Sequence, residues 1–296
     1  MANQFDSLII GQPSLDVNTD HTGHTVRETG GAVVYSGFAA AALGHPVCVL
    51  PKANKETIDT ASLFASAKNI KVHALESRQS TSIENIYHTA DKERRSCRAI
   101  SRIDGYRASE IPEIDAKIYH LAGLMRGDIG NDLIEFASRK AMTAVDVQCL
   151  LRVADEKNGE MSFQDWPEKL SMLGKIRFLK TDAAEAEILT GSKDRKVAAK
   201  MLYGWGAKEI MITHNTEVII YDGKKIYSEP LKPRNLSGRT GRGDTCFSAY
   251  ITERLTKDIS EALLTAAALV SLKMESPGPF KGSRADVEAY IKEFYR

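Results

Sequence analysis

The 296-residue chain is poor in the features that announce many protein classes. It has four cysteines, Cys48, Cys97, Cys149 and Cys246, widely spaced and with no Cys-x-x-Cys pair. A disulfide framework or a cysteine-ligated zinc site is therefore not expected, and a reducing compartment is. It has no surplus of charge: 40 basic against 39 acidic side chains leave +1, which argues against a broad nucleic-acid surface. No basic flank followed by a long apolar run opens the chain, so no signal peptide is expected. The richest apolar stretch, Ala262 to Leu272, is too short to span a bilayer and contains Thr265 and Ser271. These absences point to a cytoplasmic protein without a membrane partner. No Gly-x-x-x-x-Gly-Lys-Ser/Thr loop occurs, which argues against a Walker-type nucleotide site. Repeats, long linkers and low-complexity tracts are missing too.

What is present is ordinary globular material. The apolar share is 43% and 21 residues are glycine, enough for a sizeable core. At ~150 residues per domain the length allows about two units, or one large α/β domain with an appendage. Short β-rich runs alternate with helical patterns. Ser7 to Ile10, Val47 to Leu50, Lys117 to Leu121, Thr143 to Val147, Ile176 to Lys180 and Glu209 to Thr213 read as strands. Val33 to Leu43, Thr57 to Lys68, residues 130–140, 183–190 and 194–203, Asp244 to Leu255, Ser260 to Met274 and Ser283 to Phe294 read as helices. That alternation predicts a mainly parallel sheet with helices on both faces. Two polar, alternating regions, about 12–28 and 76–103, break the rhythm. They predict antiparallel strands that project from the sheet as edge ribbons or as a lid, with Asp91 to Arg95 as a hairpin tip.

The most informative segment is Thr240-Gly241-Arg242-Gly243-Asp244-Thr245, leading into a helix. Glycines permit a tight turn and close backbone approach to a ligand. The amides of a helix N-terminus, at the positive end of its dipole, can hold a phosphate or a developing anion. Asp244 could then take the proton of an alcohol that attacks phosphorus, or it could simply cap the helix.

This segment resembles the C-terminal signature of the ribokinase-like (PfkB-type) carbohydrate and nucleoside kinases, Asp-Thr-x-Gly-Ala-Gly-Asp-Thr. The resemblance implies Asp244 as catalytic base and Gly241, Arg242, Gly243 and Asp244 as the anion hole. Gly238 stands in place of the leading Asp, which bears on a family-like monovalent-cation site, and Arg242 in place of a small residue. Gly30-Gly31, opening the small-residue helix that ends in Leu43-Gly44, is similar to the N-terminal signature, with Tyr35 where Asn is common. By the same resemblance Asp16 accepts substrate hydroxyls, joined by Gly30, Gly31, Tyr35 and Gln148. Asp182-Ala-Ala-Glu185 resembles the Asn-x-x-Glu motif that organises magnesium and phosphate partly through water; it is equally a helix capping box. Thr213 and Asn215, beside Asp182, Gly241 and Gly243, are the implied nucleotide contacts.

The expected fold is ribokinase-like over residues 1–296 with a β lid. The expected reaction is transfer of phosphate from ATP, with Mg2+, to a hydroxyl of a sugar or sugar-like polyol. A nucleoside kinase and a catalytically silent sensor on the same fold are the alternatives, and the exposed lid edges offer a route to a homodimer.

Overall fold

The computed structural model describes residues 4–89 and 95–296. The predicted hairpin tip at Asp91 to Arg94 lies outside them, and Arg95 opens a strand.

A nine-stranded sheet forms the body, in the spatial order Ile226–Pro230, Glu217–Tyr221, Glu209–Thr213, Phe178–Asp182, Met142–Asp146, Ala116–Leu121, Phe5–Ile10, Val47–Leu50 and Ile70–Val72. Every pairing from Glu209–Thr213 to Ile70–Val72 is parallel. The last two strands, Glu217–Tyr221 and Ile226–Pro230, pair antiparallel. Successive side chains of a strand face opposite sides, and both sides are covered, so the strands read as unbroken apolar runs. Ile118, Ala144, Phe178 and Met211 pack under the helices Arg242–Glu253 and Ile259–Lys273. Their neighbours Tyr119, Val145, Leu179 and Ile210 pack with Leu133, Leu189 and Leu202 of the opposite helical layer. This is the mainly parallel, helix-flanked α/β architecture that the alternation predicts.

One element is much shorter than expected. The helix predicted over Thr57 to Lys68 is only Thr60–Phe64, with Asp59 capping the amides of Ala61 and Ser62. Phe64 anchors it by stacking on Phe38 at 6.0 Å, and beyond Phe64 the side chains are largely exposed, so nothing repays further helix.

The polar regions form a second sheet of four strands, ordered Thr25–Gly30, Ser14–Thr19, Thr81–Tyr87 and Arg95–Ser101. The outer pairings are antiparallel, as expected, but Ser14–Thr19 joins Thr81–Tyr87 in parallel. A small ribbon, Arg152–Ala154 with Met161–Phe163, is a further pairing that the sequence pattern does not announce.

Candidate active site

The two glycine signatures, far apart in the chain, become adjacent helix N-termini. The helix Ala32–Ala42 begins after Gly31, and the helix Arg242–Glu253 after Gly241. Small residues let the two helices touch: Ser248 Oγ donates to the Ser36 carbonyl at 2.8 Å. Gly241 has φ 74°, a left-handed conformation, and a Cβ there would stand 2.2 Å from the Tyr35 ring. Tyr35 therefore fills, from the other helix, the space that a side chain at 241 would take. Both N-termini open onto one cavity of about 590 Å³ at the carboxyl ends of the central strands, the usual place for a ligand in an open α/β sheet.

Asp244, on the first turn of its helix, lines this cavity. Burial pushes its carboxyl up to about 6, helped by the Asp146 charge and opposed by Lys180 and Arg152. A carboxylate so tuned suits a general base near neutral pH. Lys180, in the middle of the strand Phe178–Asp182, lies fully inside, with Nζ 2.9 Å from Asp146 Oδ2 and 3.9 Å from Glu185 Oε2. Burial alone would drain the lysine of charge, but Asp146, Glu185, Asp182 and Asp244 together hold its pKa above the ordinary value. A Cβ on Gly243 would lie 3.0 Å from Lys180 Nζ, so this ammonium sits directly under the glycine turn.

The cavity has two chemically distinct halves. One is walled by the four-stranded sheet and carries Ser14, Asp16, Asn85, Arg95, Gln148 and Arg152. Asp16 Oδ1 is buried with no hydrogen-bond partner in the protein, and burial raises its pKa. An acceptor oxygen held there is free to accept from a ligand hydroxyl. Gly30 does not line the cavity but lies against Asp16, where a Cβ would come within 2.5 Å of Oδ2. Gln148 Oε1 accepts from Arg152 Nη2 at 3.0 Å, leaving its amide donors to the cavity side. The other half carries Thr213, His214, Asn215, Arg239 and Arg242. Arg242 Nη1 donates to Asn215 Oδ1 at 3.0 Å, which links a residue expected at the anion hole to one expected at the nucleotide. His214 Nδ1 lies 3.2 Å from Thr216 Oγ1, a contact within its turn.

Asp182 and Glu185 form a reciprocal capping box: Asp182 Oδ1 accepts from Glu185 N, and Glu185 Oε2 from Asp182 N, each at 2.8 Å. Asp182 lines the cavity, whereas Glu185 is 2% exposed and lies behind it. Among the described residues no cluster of three acidic, histidine or cysteine side chains could cage a metal. Asp182, as one carboxylate at the cavity wall, fits magnesium, which keeps most of its waters and binds largely through the phosphates it accompanies.

The structure thus brings Asp16, Gly31, Tyr35, Gln148, Asp182, Thr213, Asn215, Gly241, Arg242, Gly243 and Asp244 to one cavity, with Gly30 and Glu185 supporting from behind. Sequence reasoning missed Lys180, Asn85, Arg95 and Arg239. Lys180 did carry a signal: a lysine closing an apolar strand two residues before Asp182. The others depend on strand pairing and loop placement.

A parallel α/β sheet with an acid at a glycine-rich helix mouth, facing one polar pocket and one cationic pocket, defines a phosphotransferase of the ribokinase-fold class. More particularly, the chain belongs to the pfkB family of carbohydrate kinases, whose family model matches residues 11–284. A pyrophosphate-dependent kinase in the ribokinase family, solved with a pyrophosphate analog and myo-inositol, is 33% identical. The match covers 96% of this chain and 99% of that one, with a TM-score of 0.86. Arabidopsis thaliana ribokinase, solved with ribose and ATP, shares the fold at TM-score 0.73 and 16% identity over 99% of each chain. Among curated proteins, a cytidine kinase of Thermococcus kodakarensis is 25% identical over 261 residues, 83% of this chain and 87% of that protein. Among the described residues no helix is long and apolar enough to cross a membrane.

Proposed function

We propose that this carbohydrate kinase phosphorylates a hydroxyl of a sugar or cyclic polyol, with Asp244 as the general base. The acceptor sits against Asp16, Asn85 and Gln148, and its hydroxyl gives a proton to Asp244. The freed oxygen attacks the terminal phosphorus of the donor, and the bond from that phosphorus to the bridging oxygen breaks. The amides of Gly241 to Asp244 and the Lys180 ammonium offset charge on the phosphoryl group in transit. Asp182 would help hold a magnesium ion, which would supply neutralising charge to the donor's phosphates. The four-stranded sheet serves as a lid that excludes water from the acceptor half. The observation that carries this reading is the shared cavity: the tuned Asp244 lies between Asp16, whose buried Oδ1 has no partner, on one side and the two guanidiniums of Arg239 and Arg242 on the other.

ATP is the donor implied by the sequence resemblance. The arginine pair and the 33% identical neighbour favour inorganic pyrophosphate, a compact polyanion for which Arg239 and Arg242 suit both ends. With pyrophosphate the leaving group is inorganic phosphate; with ATP it is ADP. The polar crowd around Asp16 favours a polyol acceptor over a nucleobase-bearing one. The four free thiols accord with the reducing cytoplasm. Exposed Val26 and Ile100 on the two outer strands of the lid, and Ile86 on an inner one, would suit a second copy of the chain. The test is phosphoryl transfer measured with sugars, inositols and nucleosides, each paired with ATP and with pyrophosphate. Turnover of a polyol with either donor supports the proposal. Turnover restricted to nucleosides, or none with any pair, refutes it.

A further inference from the structure

The long apolar helix Ile259–Lys273 ends in a lysine that no solvent reaches: Lys273 is 1% exposed. Its Nζ donates to the carbonyl of Gly238 at 2.6 Å and to the carbonyl of Thr240, immediately before the glycine turn. The ammonium's remaining side faces the Tyr35 ring, 5.0 Å from its centroid. That ring is the one against which Gly241 is packed. The loop is fastened from the backbone side as well. Gly238 N donates to the Met274 carbonyl at 2.7 Å, and a Cβ at 238 would stand 1.8 Å from the Ser276 carbonyl oxygen. No larger residue fits at 238, so an acidic side chain there is sterically excluded. Burial lowers the Lys273 pKa to about 8, with Asp244 and Glu28 pulling it back up, so the group is cationic at neutral pH.

A positive charge held by inward-turned main-chain carbonyls is how proteins bind alkali cations, and an ammonium group meets the same oxygens by donating to them. We propose that the Lys273 ammonium acts as a built-in monovalent cation, a positioning residue that ties the 238–240 carbonyls and so aims the Gly241 to Asp244 amides without any bound potassium. It touches neither reactant. Its effect passes through the loop, where a shift of about 1 Å is enough to lose about a hundredfold in rate. The inference rests on the kinase reading, and the two can fail separately.

The experiment compares chloride salts of potassium, ammonium and tetramethylammonium at equal ionic strength and neutral pH, reading both turnover and melting temperature. Wild-type turnover and melting are expected to differ by less than about twofold and about 1 °C across the salts. Lys273→Ala, which leaves room for an ion, should lose about a hundredfold in kcat in tetramethylammonium with little change in acceptor KM. Potassium or ammonium should restore at least about tenfold of that and raise the variant's melting temperature, as tetramethylammonium cannot. Lys273→Gln, which keeps a donor but no charge, should remain slow.

Strong stimulation of the wild type by potassium overturns the proposal, and that arm needs no variant to fold. So does a Lys273→Ala protein that folds but shows neither rescue nor cation-dependent melting. If the wild type transfers phosphate from no donor, the functional reading fails while the melting comparison still decides the role of Lys273.

Discussion

Asp244→Asn keeps shape and removes only the ability to carry charge and accept a proton, so it pulls activity and stability in opposite directions. An amide cannot deprotonate the acceptor, and loss of a positioned base lowers kcat by about 10²–10⁴. For stability, the carboxyl rises from an ordinary 3.8 to about 6 in the folded chain, chiefly through burial. At 1.36 kcal/mol per pKa unit that is at most about 3 kcal/mol, and about 1–2 once the solvent in the cavity is allowed for. The folded state holds this proton more tightly than the unfolded state does. The contribution of the group is therefore complete below pH 3.8 and is lost as pH rises through about 6, where the buried ion becomes a burden. The variant should accordingly be more stable than wild type at pH 8, with the gain shrinking as pH falls toward 4. Urea midpoints at several pH values measure this, and steady-state rates measure the other arm. Wild-type kcat/KM should itself fall as pH drops through about 6. A variant that retains more than about a tenth of turnover refutes Asp244 as base. A variant no more stable than wild type at pH 8 refutes the burial argument.

Three further substitutions probe the other parts of the cavity. Lys180→Met leaves Asp146 and Glu185 without their buried counter-charge and should destabilise the fold by about 3–5 kcal/mol. A urea-measured loss under about 1 kcal/mol would mean that the pair is solvated. Asp16→Asn should raise the acceptor KM by about 10–100-fold and leave the donor KM alone, because the orphaned oxygen faces only the acceptor half. Equal shifts in both constants would place the acceptor elsewhere. Arg242→Ala should raise the donor KM about tenfold with the acceptor KM held. Unchanged kinetics would refute a donor-binding role for Arg242.

What was legible in the chain divides along the range of the forces involved. The strands of the parallel sheet could be read because burial on both faces imposes an apolar run regardless of neighbours, and Val47–Leu50 and Glu209–Thr213 fall where the pattern puts them. The glycine signatures could be read because the local backbone demands them: Gly241 is left-handed and crowded by Tyr35. The parallel seam between Ser14–Thr19 and Thr81–Tyr87 was not legible, since register between distant segments is fixed by tertiary contact and leaves no local trace. The partners of Lys180 and Lys273 were hidden for a related reason. A lysine closing an apolar element looks locally like a solvated end, and only the fold reveals what each one meets: carboxylates from neighbouring elements in one case, carbonyls of a returning loop in the other.

Those two lysines also explain how the site tolerates its own charges. Asp146, Asp182, Glu185 and Asp244 crowd the cavity wall and the layer behind it, and a polyanionic donor must still approach. Helix N-termini alone supply partial charges that fade within one turn. Lys180 stands under the carboxylates and Lys273 under the loop carbonyls, and each is held in place by hydrogen bonds to main chain or carboxylate rather than by solvent. A cation fixed in this way does not reorganise as charge moves from donor to acceptor, which is the condition for electrostatic stabilisation of the transferring group. The departures at Gly238 and Arg242 belong to the same arrangement. At 238 the steric demand of the Ser276 carbonyl excludes an acid, and at 242 a guanidinium reaches across to Asn215. Both changes shift the balance around the glycine turn toward fixed positive charge, which would favour the small, densely charged phosphoryl donor proposed above.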